Sequence, residues 1–134
     1  MRVDKVSEYK GHQILIVNTG HGTYNGYVSV PDNHPMRGVS YQDEEFFHNL
    51  HCCCNGGVTF TGTLNYEEAT EGWYIGFDNM HHRDKGSEEL FKEYNVGENG
   101  FLYNIYNMGC ENSTFKTMEM TEADCKALID GLLA

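Results

Sequence analysis

The stretch from Gly72 to Asp84 constrains the fold most, because it begins as an apolar strand and ends as a polar loop. Its apolar residues alternate and therefore face one side of a predicted strand: Trp73, Ile75 and Phe77. Tyr74 and Asp78 face the other side, and we expect Gly76, which has no side chain, to leave open space between them. Acids and imidazoles then crowd into the loop, which is a common way to place a site on a rigid edge: Asp78, His81, His82 and Asp84.

The rest of the pattern predicts an α+β fold, with a mainly antiparallel sheet and two or three helices packed on one side. Strands are expected near residues 1–10 (an edge strand or an arm), 13–18, 27–30, 58–62, 73–77 and 101–108. Helices are expected over residues 43–50, from a cap at Ser87 through Tyr94, and at the C-terminal end from a cap at Thr121, with Asp124 three residues later. A length of 134 residues with 40% hydrophobic content suits a single domain, residues 1–134.

The net charge of the chain limits the kinds of molecule that it is expected to bind. At −11 the surface repels phosphates, so direct binding to a nucleic-acid backbone is not expected. The longest apolar run, Ile14 to Val17, is too short to span a membrane. The first residues are charged, so we do not expect a signal peptide, and three of the five cysteines are consecutive, Cys52 to Cys54. We therefore expect a cytoplasmic protein with reduced thiols.

The candidate ligand-binding residues lie in this loop and in its expected neighbours: His34, Asn55, Tyr74, Asp78, His81 and Asp84. Asp78, His81 and Asp84 have i, i+3, i+6 spacing, which in a helical turn would place them on one face. Two carboxylates and an imidazole suit a divalent metal ion, the candidate cofactor, and they equally suit the hydroxyls of a ribose or another sugar. The structural alternative is that Asp78 closes a turn through its own backbone while His81 bonds to Asp84.

A second cluster offers softer ligands: His48, His51, Cys52 and Cys54. In a strand, Cys52 and Cys54 would share a face. The Cys-x-x-Cys spacing of zinc sites is missing, however, and buried cysteine usually packs as a small apolar residue. A nucleophilic Cys–His pair also remains open, since no motif selects one cysteine.

Three segments resemble a family of small uncharacterised bacteriophage and prophage proteins. The shared residues are Gly26, Tyr27, Val28, Val30, Pro31, His34, Pro35 and Gly38 in the first segment, Gly56, Gly57 and Thr59 in the second, and Trp73, Gly76, Phe77, Asp78, His81 and Asp84 in the third. A C-terminal helix with a cysteine near its start, here Cys125, also fits. Asn55 stands where the family has His, and Val58 where it has Leu. The resemblance implies a phage origin but no reaction.

Three functions are consistent with these residues. The first is a phage-type accessory protein that binds a small polar ligand, such as a nucleotide-derived signal, to counter a host defence in the cytoplasm of the infected or lysogenic cell. The second is a small metal-dependent hydrolase that uses Asp78, His81 and Asp84 as ligands and His34 as acid or base. The third is an interaction protein whose acidic surface blocks a protein partner or a DNA site. Its acidic groups are Asp43 to Glu45, Glu67 with Glu68, and Glu88 with Glu89. A host protein partner and a homo-oligomer are both compatible with the sequence.

Overall fold

The computed structural model describes residues 1–81, 83–95 and 113–134. Within these ranges the chain has the predicted α+β fold, built on a five-stranded antiparallel sheet. In chain order its strands are β1 (Arg2–Tyr9), β2 (His12–Asn18), β3 (Tyr24–Val30), β4 (Phe60–Gly62) and β5 (Trp73–Asp78). Their spatial order is β1-β2-β3-β5-β4. Two short strands, β6 (Asp84–Lys85) and β7 (Thr114–Phe115), pair in parallel beside the sheet.

The described helices are α1 (Glu44–Phe47), α2 (Glu88–Tyr94) and α3 (Met118–Leu133), and a 3₁₀ turn spans His51–Cys53. Ser87 caps α2 as predicted, because its hydroxyl accepts a hydrogen bond from the backbone N–H of Leu90. No helix in the described ranges combines the length and the apolar character that crossing a bilayer requires.

The first two strands form an edge hairpin, which confirms the edge strand predicted for residues 1–10. Lys10 and Gly11 both have positive φ angles, of 50° and 83°, as a two-residue turn between antiparallel strands requires. β2 then pairs with β3, and β3 pairs with β5 so that Asn25 lies opposite Asp78. This register brings the C-terminal end of β5 beside the N-terminal end of β3.

The main core lies between the sheet and α3. Ile75 and Phe77 of β5 are buried in the core that the sheet shares with this helix, which confirms the predicted alternation. Gly26 of β3 lets the helix approach closely, since a Cβ there would lie 2.7 Å from the sulfur of Cys125. The apolar face of α3 is supplied by Cys125, Leu128, Ile129 and Leu132. The helix therefore holds one side of the sheet in a fixed position.

A smaller core covers the opposite face. Leu15, Val17, Tyr27 and Tyr74 pack there beneath side chains of the segment between β4 and β5, namely Leu64, Tyr66 and Ala69. Apolar side chains therefore pack against both faces of the inner strands.

Several predicted boundaries were wrong. Thr117, not Thr121, caps α3, because the Thr117 hydroxyl accepts from the backbone N–H of Met120 at 3.1 Å. Thr121 is buried inside the helix, and its hydroxyl donates to the Thr117 carbonyl. The helix expected over residues 43–50 is confined to Glu44–Phe47, and the strand expected over residues 58–62 to Phe60–Gly62. The strand predicted over residues 101–108 lies outside the described residues.

Candidate functional site

Asp84 is the centre of the polar loop that follows β5. Its Oδ2 accepts hydrogen bonds from the backbone N–H of His81 at 3.0 Å and from the side-chain amide of Asn55 at 2.8 Å. The Nδ1 of His81 lies 3.0 Å from the same oxygen, and Nδ1 is the donor because a carboxylate only accepts. The Asp84 side chain is only 3% exposed. The buried carboxylate therefore fixes both the loop backbone and the orientation of the imidazole.

Asn55 and Asn79 connect this loop to the rest of the fold. The side-chain amide of Asn55 also donates to Oδ1 of Asn79 at 3.0 Å, and its backbone N–H donates to Asp124 of α3 at 3.0 Å. Asn79, 2% exposed, donates to the Tyr24 carbonyl at 2.9 Å and to the Thr121 hydroxyl at 3.0 Å. Because each amide bonds to more than one element, the loop is held against β3 and α3 at once.

Gly56 supports the imidazole of His81 from below. Its φ of +71° is a conformation that favours glycine, and a Cβ at this position would overlap the ring of His81. The backbone turns at Asn55 and Gly56, and Gly56 lets the ring lie directly on the backbone. The ring is thus held by Asp84 on one edge and by the turn on one face.

The side of the site that faces solvent consists of His81, Asp78 and Thr59. The His81 and Asp78 side chains are 32% and 33% exposed, and Nε2 of His81 lies 3.5 Å from Oδ1 of Asp78. Asp78 also accepts from the backbone N–H of Met80 at 3.0 Å and from the Thr59 hydroxyl at 3.2 Å. The turn closed by Asp78 and the His81–Asp84 bond are the two contacts that the structural alternative expected.

Asn25 adds a buried acceptor beside this surface. It lies opposite Asp78 in the sheet, where facing Cβ atoms are about 5 Å apart. Its amide nitrogen donates to the Tyr27 hydroxyl at 3.2 Å, but among the described residues its Oδ1 has no hydrogen-bond donor. Burial, together with the nearby charge of Asp78, raises the pKa of Tyr27. Among the described residues, Asn25 Oδ1 is therefore an acceptor without a donor in the strand position opposite Asp78.

The structure does not bring His34 to this loop. Its Nδ1 accepts from the backbone N–H of Met36 at 3.0 Å, so Nε2 carries the proton and donates to the Leu132 carbonyl at 2.8 Å. Leu132 lies in the last turn of α3, about 16 Å along the helix from Thr121 at 1.5 Å per residue. His34 thus satisfies a carbonyl at the C-terminal end of the helix, far from the Asn79 contact.

Tyr74 is also separated from the site, and the open space expected beside Gly76 does not exist. The ring of Tyr27 fills it, since a Cβ on Gly76 would overlap that ring. Tyr74 is fully buried, and its hydroxyl bonds to the Gln13 side chain and to Thr70, in the latter case at 2.9 Å from the backbone nitrogen. It shares a strand face with Asp78, but its side chain is a core residue.

The three loop residues are not arranged as metal ligands. Asp78, His81 and Asp84 do not lie in a helical turn: the first ends β5 and the last begins β6. Each ring nitrogen of His81 faces a carboxylate, so neither is directed toward a shared central position. Across the described ranges, no group of three or more His, Cys, Asp or Glu side chains could hold a metal ion.

The cysteine cluster takes a different form from the expected strand. Cys52 and Cys53 belong to the 3₁₀ turn, whereas Cys54 has an extended backbone and a buried side chain. Burial raises the pKa of Cys54 to about 12 and raises that of Cys125 strongly, so both are neutral thiols at physiological pH. Nδ1 of His51 accepts from the backbone N–H of Val58 at 3.1 Å, and the thiols of Cys52 and Cys53 donate to the Asn49 carbonyl, so none of these hydrogen bonds joins a cysteine to His51.

Sequence reasoning missed Asn79, Thr59, Asn25 and Asp124. Asn79 had a detectable signal, because it continues the alternation of Trp73, Ile75 and Phe77 and so falls on the core side. A buried amide needs hydrogen-bond partners, and this position therefore pointed to a polar junction. Asp124 was marked only as part of a cap at Thr121, Thr59 only by the resemblance, and Asn25 by no local signal. The roles of all three depend on contacts distant in sequence.

No family model, curated protein or solved structure matches the chain. The resemblance to phage proteins therefore stays a prediction, and the candidate site rests on its own geometry.

Proposed function

We propose that the protein binds a small polar ligand on the surface formed by Asp78, His81 and Thr59. The observation that carries this proposal is the division of the loop into two halves. Asp84, whose side chain is buried, and partly buried Asn55 form a half that is held by several hydrogen bonds, whereas Asp78 and His81 keep about a third of their side-chain surface exposed. A rigid support beneath partly exposed polar groups is what a binding site requires, because little conformational entropy is lost when the ligand arrives.

The exposed groups favour a ligand that donates hydrogen bonds. The Asp78 carboxylate accepts two bonds from the protein and has lone pairs for two more. In neutral His81, Nε2 is an acceptor too, because Nδ1 carries the proton. Hydroxyl groups of a ribose or another sugar, or an amino group, complement such a surface.

Electrostatics oppose direct contact with phosphate. The net charge is −11, and three carboxylates, Asp78, Asp84 and Asp124, belong to the site or its immediate support. A nucleotide-derived ligand would therefore bind through its sugar hydroxyls and direct its phosphate away from Asp78. Countering a host defence would be one use of such binding, and that role rests on the resemblance alone.

The two other functions have less support. The hydrolase requires a shared metal, whereas both ring nitrogens of His81 already face carboxylates. The acidic groups of the third hypothesis lie on separate elements, in the first turns of α1 and α2 and in the segment before β5. Ligand binding at the polar loop therefore has the most support among the three functions.

A calorimetric titration with adenosine, AMP and ribose tests the proposal. We expect adenosine or ribose to bind more tightly than AMP, and binding to be lost in the double variant Asp78→Asn with His81→Gln, which replaces both groups by uncharged polar side chains. Asp43→Asn is the matched control, since Asp43 is exposed and its side chain makes no capping bond. Either binding that survives the double variant or a wild-type protein that takes up none of the three probes would overturn the proposal.

A further inference from the structure

The thiol groups of Cys52 and Cys53 converge on a single backbone carbonyl. The sulfur of Cys52 lies 3.4 Å from the Asn49 oxygen, and that of Cys53 lies 3.5 Å from the same atom. Cys52 is exposed and Cys53 half-buried, with the latter packed close to Gly131 of α3. Two adjacent cysteines on one turn therefore form a dithiol at the surface, while Cys54 points into the core.

This pair is poorly placed to close a disulfide. Cα atoms of adjacent residues are about 3.8 Å apart, whereas disulfides usually join Cα atoms about 4.4 to 6.8 Å apart. Direct oxidation would thus distort the 3₁₀ turn, but an atom inserted between the two sulfurs would relieve that constraint. The geometry favours a bridging ion over a bond between the sulfurs.

We propose that Cys52 and Cys53 together bind one monovalent copper ion. Two sulfur ligands select a soft ion, and Cu(I) is stable with only two ligands, whereas structural zinc takes four. Across the described ranges no third His, Cys, Asp or Glu completes a larger metal site, and His51 is already bonded to Val58. On binding, each thiol loses one proton and forms one Cu–S bond, so that Cu(I) is exchanged for two protons and no change of oxidation state occurs.

An anaerobic titration of the reduced protein with Cu(I), in competition with bicinchoninate, tests this site. We expect one copper per chain and two protons released per copper. Cys52→Ser and Cys53→Ser should each abolish stoichiometric binding, because each removes one of the two ligands. Cys54→Ala and Cys110→Ser are the controls that should retain it, and circular dichroism of every variant verifies that it is folded.

Three results would overturn the assignment. The first is copper binding that persists in both single serine variants, which would place the ion elsewhere. The second is loss of copper in a folded Cys54→Ala or Cys110→Ser protein. The third is one copper per two chains, which would show that the sulfurs come from different molecules. None of these outcomes depends on the ligand proposed for the polar loop.

Discussion

Replacing Gly56 by Ala tests how the imidazole of His81 is supported. The substitution places a Cβ where the ring lies, and φ is +71°, so two costs arise. The backbone cost is about 1 to 2 kcal/mol for a residue with a side chain in the left-handed region. The contact cost is limited by what the ring loses when it moves away, chiefly its hydrogen bond to Asp84, worth about 1 to 2 kcal/mol at a partly exposed site. We therefore expect the free energy of unfolding to fall by about 2 to 4 kcal/mol.

Gly38→Ala separates the two costs. Gly38 has a φ of +80°, but a Cβ there would meet nothing within 4 Å, so this variant carries only the backbone cost. Urea denaturation with unchanged m values should place Gly56→Ala about 1 to 2 kcal/mol below Gly38→Ala. In a His81→Ala background this difference should disappear, because no ring remains to be displaced. Equal losses in the first comparison, or a difference that persists without the ring, would refute the reasoning.

Three further predictions concern the support of the site, its pH dependence and the thiols. Asn79→Leu should lower the free energy of unfolding by about 2 to 4 kcal/mol, measured by urea denaturation, because partners of a buried amide lose their bonds; a loss below about 1 kcal/mol would contradict this. The hydrogen bond donated by the Ser7 hydroxyl is the main reason why the pKa of Glu122 is lowered. The stability that this bond contributes is fully present above the ordinary carboxyl pKa and is lost as the pH falls through the lowered pKa of Glu122. The stability difference between wild type and Ser7→Ala should accordingly shrink from about pH 7 to about pH 3.5, and a difference that grows would exclude this linkage. Alkylation followed by peptide mapping should modify exposed Cys52 in the native protein but Cys54 only after unfolding, and rapid native labelling of Cys54 would disprove its burial.

Much of the fold could be predicted because its signals are local. Alternation set the faces of β5, and a serine before an amphipathic segment set the start of α2. The cap of α3 was misplaced because Thr117 and Thr121 are both acceptable caps, and only the burial of Thr121 beside Asn79 decides between them. The choice therefore depends on tertiary contact.

The site was predictable only in part, for a similar reason. Asp78, His81 and Asp84 lie close together in sequence and also meet in the structure, and Asn55 joins them from the neighbouring turn. The space beside Gly76 was misjudged because the side chain that fills it comes from another strand, at Tyr27. Whether the space beside a glycine in one strand is open depends on the side chains of the strand that pairs with it, and the local sequence does not identify that strand.

The contacts of α3 with the site also determine when the site can form during folding. Asn55 reaches Asp124 across 69 positions, and Asn79 reaches Thr121 across 42. Both contacts require α3, so the loop is not fully anchored until that helix has been synthesised and has docked on the sheet. A chain whose last helix has not docked therefore lacks the anchored loop. Ligand affinity would then appear only once α3 has docked, and a ligand present at that moment would favour completed molecules over partly folded ones.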